Sequence, residues 1–156
     1  MAVSVLMVCL GNICRSPLAE AALRHHATRL GLDVIVDSAG TGDWHVGHPP
    51  DRRAQEVVRR LGGIDISGFR ARQVARDDFH RFDHIIAMDH DNHRTLLNLS
   101  PQSATAQLSL LLDHLPGQES RAVADPYYGD TADFEKCWRL VDEACEILAR
   151  SFKTDT

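Results

Sequence analysis

The N-terminal end of the chain restricts the fold more than any other feature. Val3-Ser4-Val5-Leu6-Met7-Val8 is a short apolar run, too brief for a helix, that soon meets Gly11 and Asn12. It predicts a buried strand entering a loop. Ser16 is a good N-cap and Pro17 suits the first helical position, after which Ala19, Ala22, Leu23, His26, Ala27 and Leu30 repeat on one face until Gly31. Val34, Ile35 and Val36, within residues 33–38, predict a second buried strand. Strand, helix and strand at this spacing make a right-handed parallel βαβ unit.

The alternation continues. After a loop over 39–50, Asp51 can cap a helix carrying Ala54, Val57, Val58 and Leu61, ended by Gly62 and Gly63. Residues 84–88 read as a third strand, and Asp89 as the cap of a helix through Leu97 that Ser100-Pro101 ends. Residues 106–112 read as a fourth strand. The last segment is a helix with Phe134, Cys137, Trp138, Val141, Cys145, Leu148 and Phe152 on one face. The expected architecture is one α/β domain over residues 1–156: a doubly wound, four-stranded parallel sheet with helices on both faces. Ligands of such folds bind beyond the carboxyl ends of the strands, here near Cys9, Ser38 and Asp89.

Composition narrows the partners. Seventeen lysines and arginines against 22 acidic residues leave a net charge of -5, the wrong sign for a broad nucleic-acid surface. No apolar run approaches the ~20 residues of a membrane helix. The N-terminus lacks the basic flank of a signal peptide, so the expected compartment is the cytoplasm, with neither nucleic acid nor membrane as partner. The four cysteines are then expected as thiols rather than structural disulfides.

Between the first strand and the first helix lies Cys9-Leu10-Gly11-Asn12-Ile13-Cys14-Arg15-Ser16. A short loop winding into a helix N-terminus turns backbone N–H groups inward, and with the helix dipole they make a site for a tetrahedral oxyanion. Gly11 is expected to supply the positive φ of such a nest. Arg15 offers a planar fork for two phosphate oxygens. These surroundings favour the thiolate of Cys9, which lies where it would attack a bound phosphoryl group. Alone, Cys9 would read as a buried core cysteine; the arginine spacing, glycine and strand-to-helix position make the reactive reading the stronger one. A Walker loop would need glycine and lysine where Ser16 and Pro17 stand. Gly40 and Gly42 resemble the start of a dinucleotide fingerprint, but His45 occupies the third glycine position and no helix is expected there. The nine histidines form no convincing ligand set, so neither metal nor cofactor is expected.

The stretch Val8-Cys9-Leu10-Gly11-Asn12-Ile13-Cys14-Arg15-Ser16-Pro17 resembles the signature of the low-molecular-weight protein tyrosine phosphatases. The resemblance runs on through Asp37-Ser38-Ala39-Gly40-Thr41, Gly47-His48-Pro49-Pro50-Asp51, Ala71-Arg72-Gln73, Met88-Asp89 and Asp125-Pro126-Tyr127-Tyr128-Gly129. It implies a hydrolase of protein phosphotyrosine and small aryl phosphates that needs no cofactor and releases inorganic phosphate. Cys9 would be the nucleophile, Arg15 and the loop Leu10, Gly11, Asn12, Ile13, Cys14 and Ser16 the phosphate cradle, and Asp125 the general acid and then base. Ser16 would hydrogen-bond the Cys9 thiolate, and Asn12 with Ser38 would hold the loop open. Trp44, Tyr127 and Tyr128 would form an aromatic lip, the lesser alternative for Trp44 being a loop aromatic that covers the core. By itself, too, Asp125-Pro126 reads as a turn starter.

Some points stay open in the sequence. Relatives carry a histidine near Phe69 that supports the loop asparagine, and here the segment is Ser67-Gly68-Phe69-Arg70. Cys14 reads either as an apolar wall or as a thiol able to trap oxidised Cys9, while Cys137 and Cys145 read as core. The rival activities are a protein arginine phosphatase, whose members typically have threonine where Ile13 stands, and an arsenate reductase, which needs two further relay cysteines not evident here. The rival outside enzymes is a silent phosphate- or phosphotyrosine-binding module.

Overall fold

The computed structural model describes residues 2–154; Met1 and the last two positions of the expected domain lie outside them. Strand β1 (Val3–Cys9) pairs in parallel with β2 (Val34–Gly40) on one side and β3 (His84–Ala87) on the other, and β3 pairs with β4 (Gln107–Leu110). The order β2-β1-β3-β4 reverses direction at β1, placing the switch point at the carboxyl ends of β1 and β3. Cys9 pairs with Gly40, and Asp89 follows directly after β3 and Met88.

Alternation along β1 divides the core. Val5 and Met7 face a large cluster shared with α1 (Arg15–Arg29) and α5 (Thr131–Thr154), while Leu6 and Val8 face a smaller one with Phe79, Phe82 and Leu96. Both sheet faces are therefore covered, and Val5, Leu6, Met7 and Val8 are fully buried. The α5 stripe read from the sequence is buried over its whole length, from Phe134 to Phe152. Helix α2 (Arg52–Gly62) starts on Asp51, whose carboxylate accepts from the Arg53 N–H at 2.8 Å, and ends on Gly63 at φ 66°. Helix α4 (His90–Leu99) has a capping box, with Asp89 and Asn92 bonding each other's backbone.

Several elements depart from the sequence reading for local reasons. Helix α1 begins at Arg15 and makes no side-chain cap, because Ser16 is turned inward toward Cys9. The left-handed residue of the loop is Asn12 at φ 58°, not Gly11; asparagine tolerates that region better than other side chains. Ile35 is 56% exposed because β2 is a sheet edge, and Leu61 is also exposed. The fourth strand is shorter than expected, and a 3-10 turn over Leu111–His114 takes its last residues. Helix α3 (Asp78–Arg81) is too short to leave a periodic signal. No helix among the described residues is long and apolar enough to cross a membrane.

Candidate active site

The loop from β1 to α1 is held from behind. Asn12 N–H donates to Cys9 Sγ at 3.3 Å, and Ser16 Oγ lies 3.1 Å from the same sulfur. The Asn12 side chain donates through Nδ2 to Ser16 Oγ at 2.8 Å and Ser38 Oγ at 3.0 Å, and its Oδ1 accepts the Arg72 N–H at 3.0 Å. Asn12, Ser16 and Ser38 are thus buried support beneath the loop, and their side chains do not line the cleft above it. Phe69, where the histidine of relatives would stand, carries the Arg24 guanidinium 5.6 Å from its ring centre, and the support of Asn12 falls to Ser38 and the Arg72 backbone.

Above the loop opens a cleft of about 300 Å³. Its floor is Cys9, Leu10, Gly11, Ile13, Cys14 and Arg15; its walls are Trp44, His45, Asp125, Tyr127 and Tyr128. Trp44 is 66% and Tyr128 93% exposed, so both rings present open faces at the rim. Tyr127 and Tyr128 meet edge to face at 4.9 Å. Cys9 itself is buried to all but 2%, reachable only through the cleft.

Arg15 is buried, and three groups hold its guanidinium. Nη1 donates to Asp89 Oδ2 at 2.7 Å and to the Val123 carbonyl at 2.9 Å, and Nη2 lies 3.5 Å from Asp125 Oδ2. Burial works against its charge, but Cys9, Asp89 and Asp125 outweigh it and hold Arg15 above its ordinary range. Asp125 is partly exposed and its Oδ1 accepts the Tyr127 N–H at 3.1 Å, which orients the carboxylate over the cleft. Arg53 secures that segment by donating to the carbonyls of Tyr127 at 2.9 Å and Gly129 at 3.2 Å.

All four cysteines are free. Burial pushes the Cys14 thiol far above the ordinary range and that of Cys137 up to about 12, so both are neutral at pH 7. Cys145 is driven up in the same way and lies in the α1–α5 core, its thiol on the Ala19 carbonyl at 3.6 Å. Among the described residues no cluster of three or more His, Cys, Asp and Glu side chains could hold a metal.

Sequence reasoning did not assign three groups that the fold brings to the site. Asp89 was read as a helix cap and, with Cys9 and Ser38, as a marker of the strand ends where ligands bind, without a role there; its Oδ1 does cap α4, and its Oδ2 holds Arg15. His45 lies over Gly11, where a Cβ would come within 2.9 Å of its ring. Glu20 sits behind the loop with Ser38. The strand-end position of Asp89 was the one sequence signal that pointed to this region; none marked His45 or Glu20.

Fold and site together define a doubly wound α/β protein whose loop between β1 and α1 carries a cysteine and an arginine under a carboxylate-bearing lip. Residues 4–156 match the family described as low molecular weight phosphotyrosine protein phosphatase, and the chain belongs to that family. It is 44% identical over 155 residues to the low molecular weight protein-tyrosine-phosphatase YfkJ of Bacillus subtilis, covering 98% of this chain and 97% of that one. It is 42% identical over 148 residues to the human low molecular weight phosphotyrosine protein phosphatase, covering 93% and 92%. The crystal structure of YfkJ superposes with a TM-score of 0.91 over 100% of this chain and 98% of that one. The drosophila arginine phosphatase DARP superposes with 0.89 at 34% identity, over 97% and 99%.

Proposed function

We propose that the protein hydrolyses phosphotyrosine in protein substrates, and small aryl phosphates, through a phosphocysteine intermediate on Cys9. The observation that carries this reading is the opposition of the Cys9 thiol, at the floor of the cleft, to the Asp125 carboxylate, with Arg15 touching the latter. The Cys9 thiolate attacks phosphorus as the bond to the aryl oxygen breaks, and Asp125 gives that oxygen its proton. Asp125, now a carboxylate, takes a proton from water; the resulting oxygen attacks phosphorus and Cys9 leaves as thiolate, releasing inorganic phosphate. Arg15 and the loop N–H groups other than that of Asn12 stabilise the equatorial oxygens. Ser16 and the Asn12 N–H lower the energy of the departing thiolate.

The aromatic rim of Trp44, Tyr127 and Tyr128, with apolar Ile13 on the floor, supports an aryl leaving group. The likeness to the drosophila arginine phosphatase supports a second reading, phosphoarginine, with the same nucleophile. Phosphate release from matched phosphotyrosine and phosphoarginine peptides, in chelator, separates them. Preference for phosphotyrosine, abolished in Cys9→Ser, is the expected result, and preference for phosphoarginine overturns the substrate assignment. Asp125→Ala should slow phosphotyrosine cleavage about 10²- to 10⁴-fold and an activated aryl phosphate much less; equal losses move the acid elsewhere. Binding without turnover would favour the binding-module reading.

In this reading Cys14 is an apolar wall of the cleft floor, in keeping with its buried, neutral thiol. A redox role would show as peroxide inactivation that dithiol reverses in the wild type and not in Cys14→Ser. The four free thiols fit a reducing compartment, which supports the cytoplasm.

A further inference from the structure

Glu20, on α1, is a buried carboxylate, 7% exposed, that makes no contact with the cleft. Its Oε2 accepts from Arg24 at 2.6 Å, a pair one helical turn apart. Its Oε1 accepts the Ser38 hydroxyl at 2.6 Å. Burying a carboxylate is costly unless it is paired and hydrogen-bonded, and Arg24 and Ser38 meet that condition for Glu20.

The hydrogens behind the loop can be assigned from chemistry. The Arg72 backbone N–H can only donate, so Asn12 must present Oδ1 to it, and its two Nδ2 hydrogens then go to Ser38 Oγ and Ser16 Oγ. An ionised carboxylate can only accept, so the single Ser38 hydrogen points to Glu20. Ser16 has received a hydrogen bond and has one hydrogen left, with the Cys9 sulfur at 3.1 Å and the Ala39 carbonyl at 3.5 Å to choose from. The nearer acceptor is the sulfur, and as a thiolate it is also the charged one.

We propose that Glu20 is a positioning residue: through Ser38 and Asn12 it sets the direction of a hydrogen-bond chain that ends with the Ser16 proton on the Cys9 sulfur. Without the carboxylate the Ser38 hydrogen competes for the Asn12 amide. That amide then turns its oxygen toward Ser38, abandons Arg72 and takes its N–H from Ser16. The Ser16 hydroxyl is freed to donate elsewhere, and the thiolate loses one of its two donors. Bonds in such a chain also polarise one another, so the anionic end strengthens the far one.

The proposal rests on Cys9 being the nucleophile, but its test does not need turnover. The rate at which iodoacetamide alkylates Cys9 is followed against pH by mass spectrometry, beside kcat and KM on an aryl phosphate, in full-length Glu20→Ala, Glu20→Gln, Ser38→Ala and the double variant Glu20→Ala with Ser38→Ala. In Glu20→Ala the alkylation profile should move to higher pH and kcat should fall roughly threefold to tenfold with KM little changed. Ser38→Ala should do the same, and the double variant should be no worse than either. In Glu20→Gln the single amide oxygen cannot accept from both Arg24 and Ser38, so the profile should move in the same direction as in Glu20→Ala and by less. Arg24→Met, which breaks only the ion pair, should keep the wild-type alkylation profile. An unmoved profile in Glu20→Ala, losses that multiply in the double variant, or an Arg24→Met shift equal to that of Glu20→Ala each overturn the proposal. Should Glu20→Ala fail to fold, an unmoved profile in both Glu20→Gln and Ser38→Ala overturns it instead. Turnover surviving in Cys9→Ser would sink the phosphatase mechanism while leaving the alkylation result readable.

Discussion

Asp89 shows how one side chain can serve two demands at once. Its Oδ1 accepts the Asn92 N–H at 2.7 Å and starts α4, and its Oδ2 fixes the Arg15 fork at 2.7 Å. The two functions separate chemically, because asparagine caps a helix as well as aspartate does but brings no charge to a guanidinium. Asp89→Asn should therefore melt within a few degrees of wild type, yet lose about tenfold or more in kcat/KM, the scale of a charge-assisted hydrogen bond. Thermal melts beside steady-state kinetics check this, and a variant destabilised in proportion to its lost activity would place Asp89 in the fold alone.

At the scale of elements, the site depends on how closely the end of β2 approaches the loop after β1. Thr41 N–H donates to the Cys9 carbonyl and Gly42 N–H to that of Leu10, both at 2.9 Å, so β2 goes on pairing with the loop. A Cβ on Gly40 would lie 2.8 Å from the Leu10 carbonyl and 3.2 Å from Asn12 N, atoms of the backbone that cannot swing aside. Gly40→Ala should thus displace the loop after β1 itself, costing about 1–3 kcal/mol of stability and a larger share of activity. Phosphate-ester turnover set against chemical denaturation tests it; unchanged kcat would show that the loop can move without harm. From the opposite side, the backbone N–H of Asp51, the cap of α2, holds the Ile13 carbonyl at 2.8 Å, and Arg53 holds the segment after Asp125. The loop and its lip are therefore fastened to the same helix start.

For the whole molecule, placing a carboxylate inside has a pH signature. Burial raises the Glu20 carboxyl above its ordinary range, against the opposing pull of Ser38 and Arg24, with Asp37 adding to the rise. A carboxyl raised in the folded state contributes stability that is present below its unfolded value of about 4.3 and lost as pH rises through the folded value. Glu20→Gln, always neutral, should accordingly melt higher than wild type at pH 7, with the difference closing below about pH 4. Melting curves across that range decide it, and a constant difference at all pH values would mean that packing rather than ionisation is responsible. The same buried charge that orders the loop would then be shown to weaken the fold.

How much of this was legible in the sequence follows from the range of each interaction. The strands and long helices were legible because period and punctuation are local: the apolar run before Cys9, the Asp51 and Asp89 caps and the α5 stripe all sit within their own elements. Cys9 and Arg15 were legible for the same reason, since one loop and one helix start hold both. Ser16 and Gly11 were misjudged locally, as a cap and as the left-handed residue, because the demands of Cys9 and Asn12 outweigh propensity there. Asp125 entered only through resemblance, and the sequence by itself could not bring it or Asp89 to Arg15, nor join Val123 and Glu20 to the site. Those meetings depend on the strand order β2-β1-β3-β4 and on α1 and α5 packing against one face of the sheet. The sequence by itself determined the elements and the loop that joins Cys9 to Arg15, since backbone geometry and apolar period act over a few residues. The tertiary structure alone decided which charges surround that loop, since such groups meet only when burial of the sheet draws distant segments together.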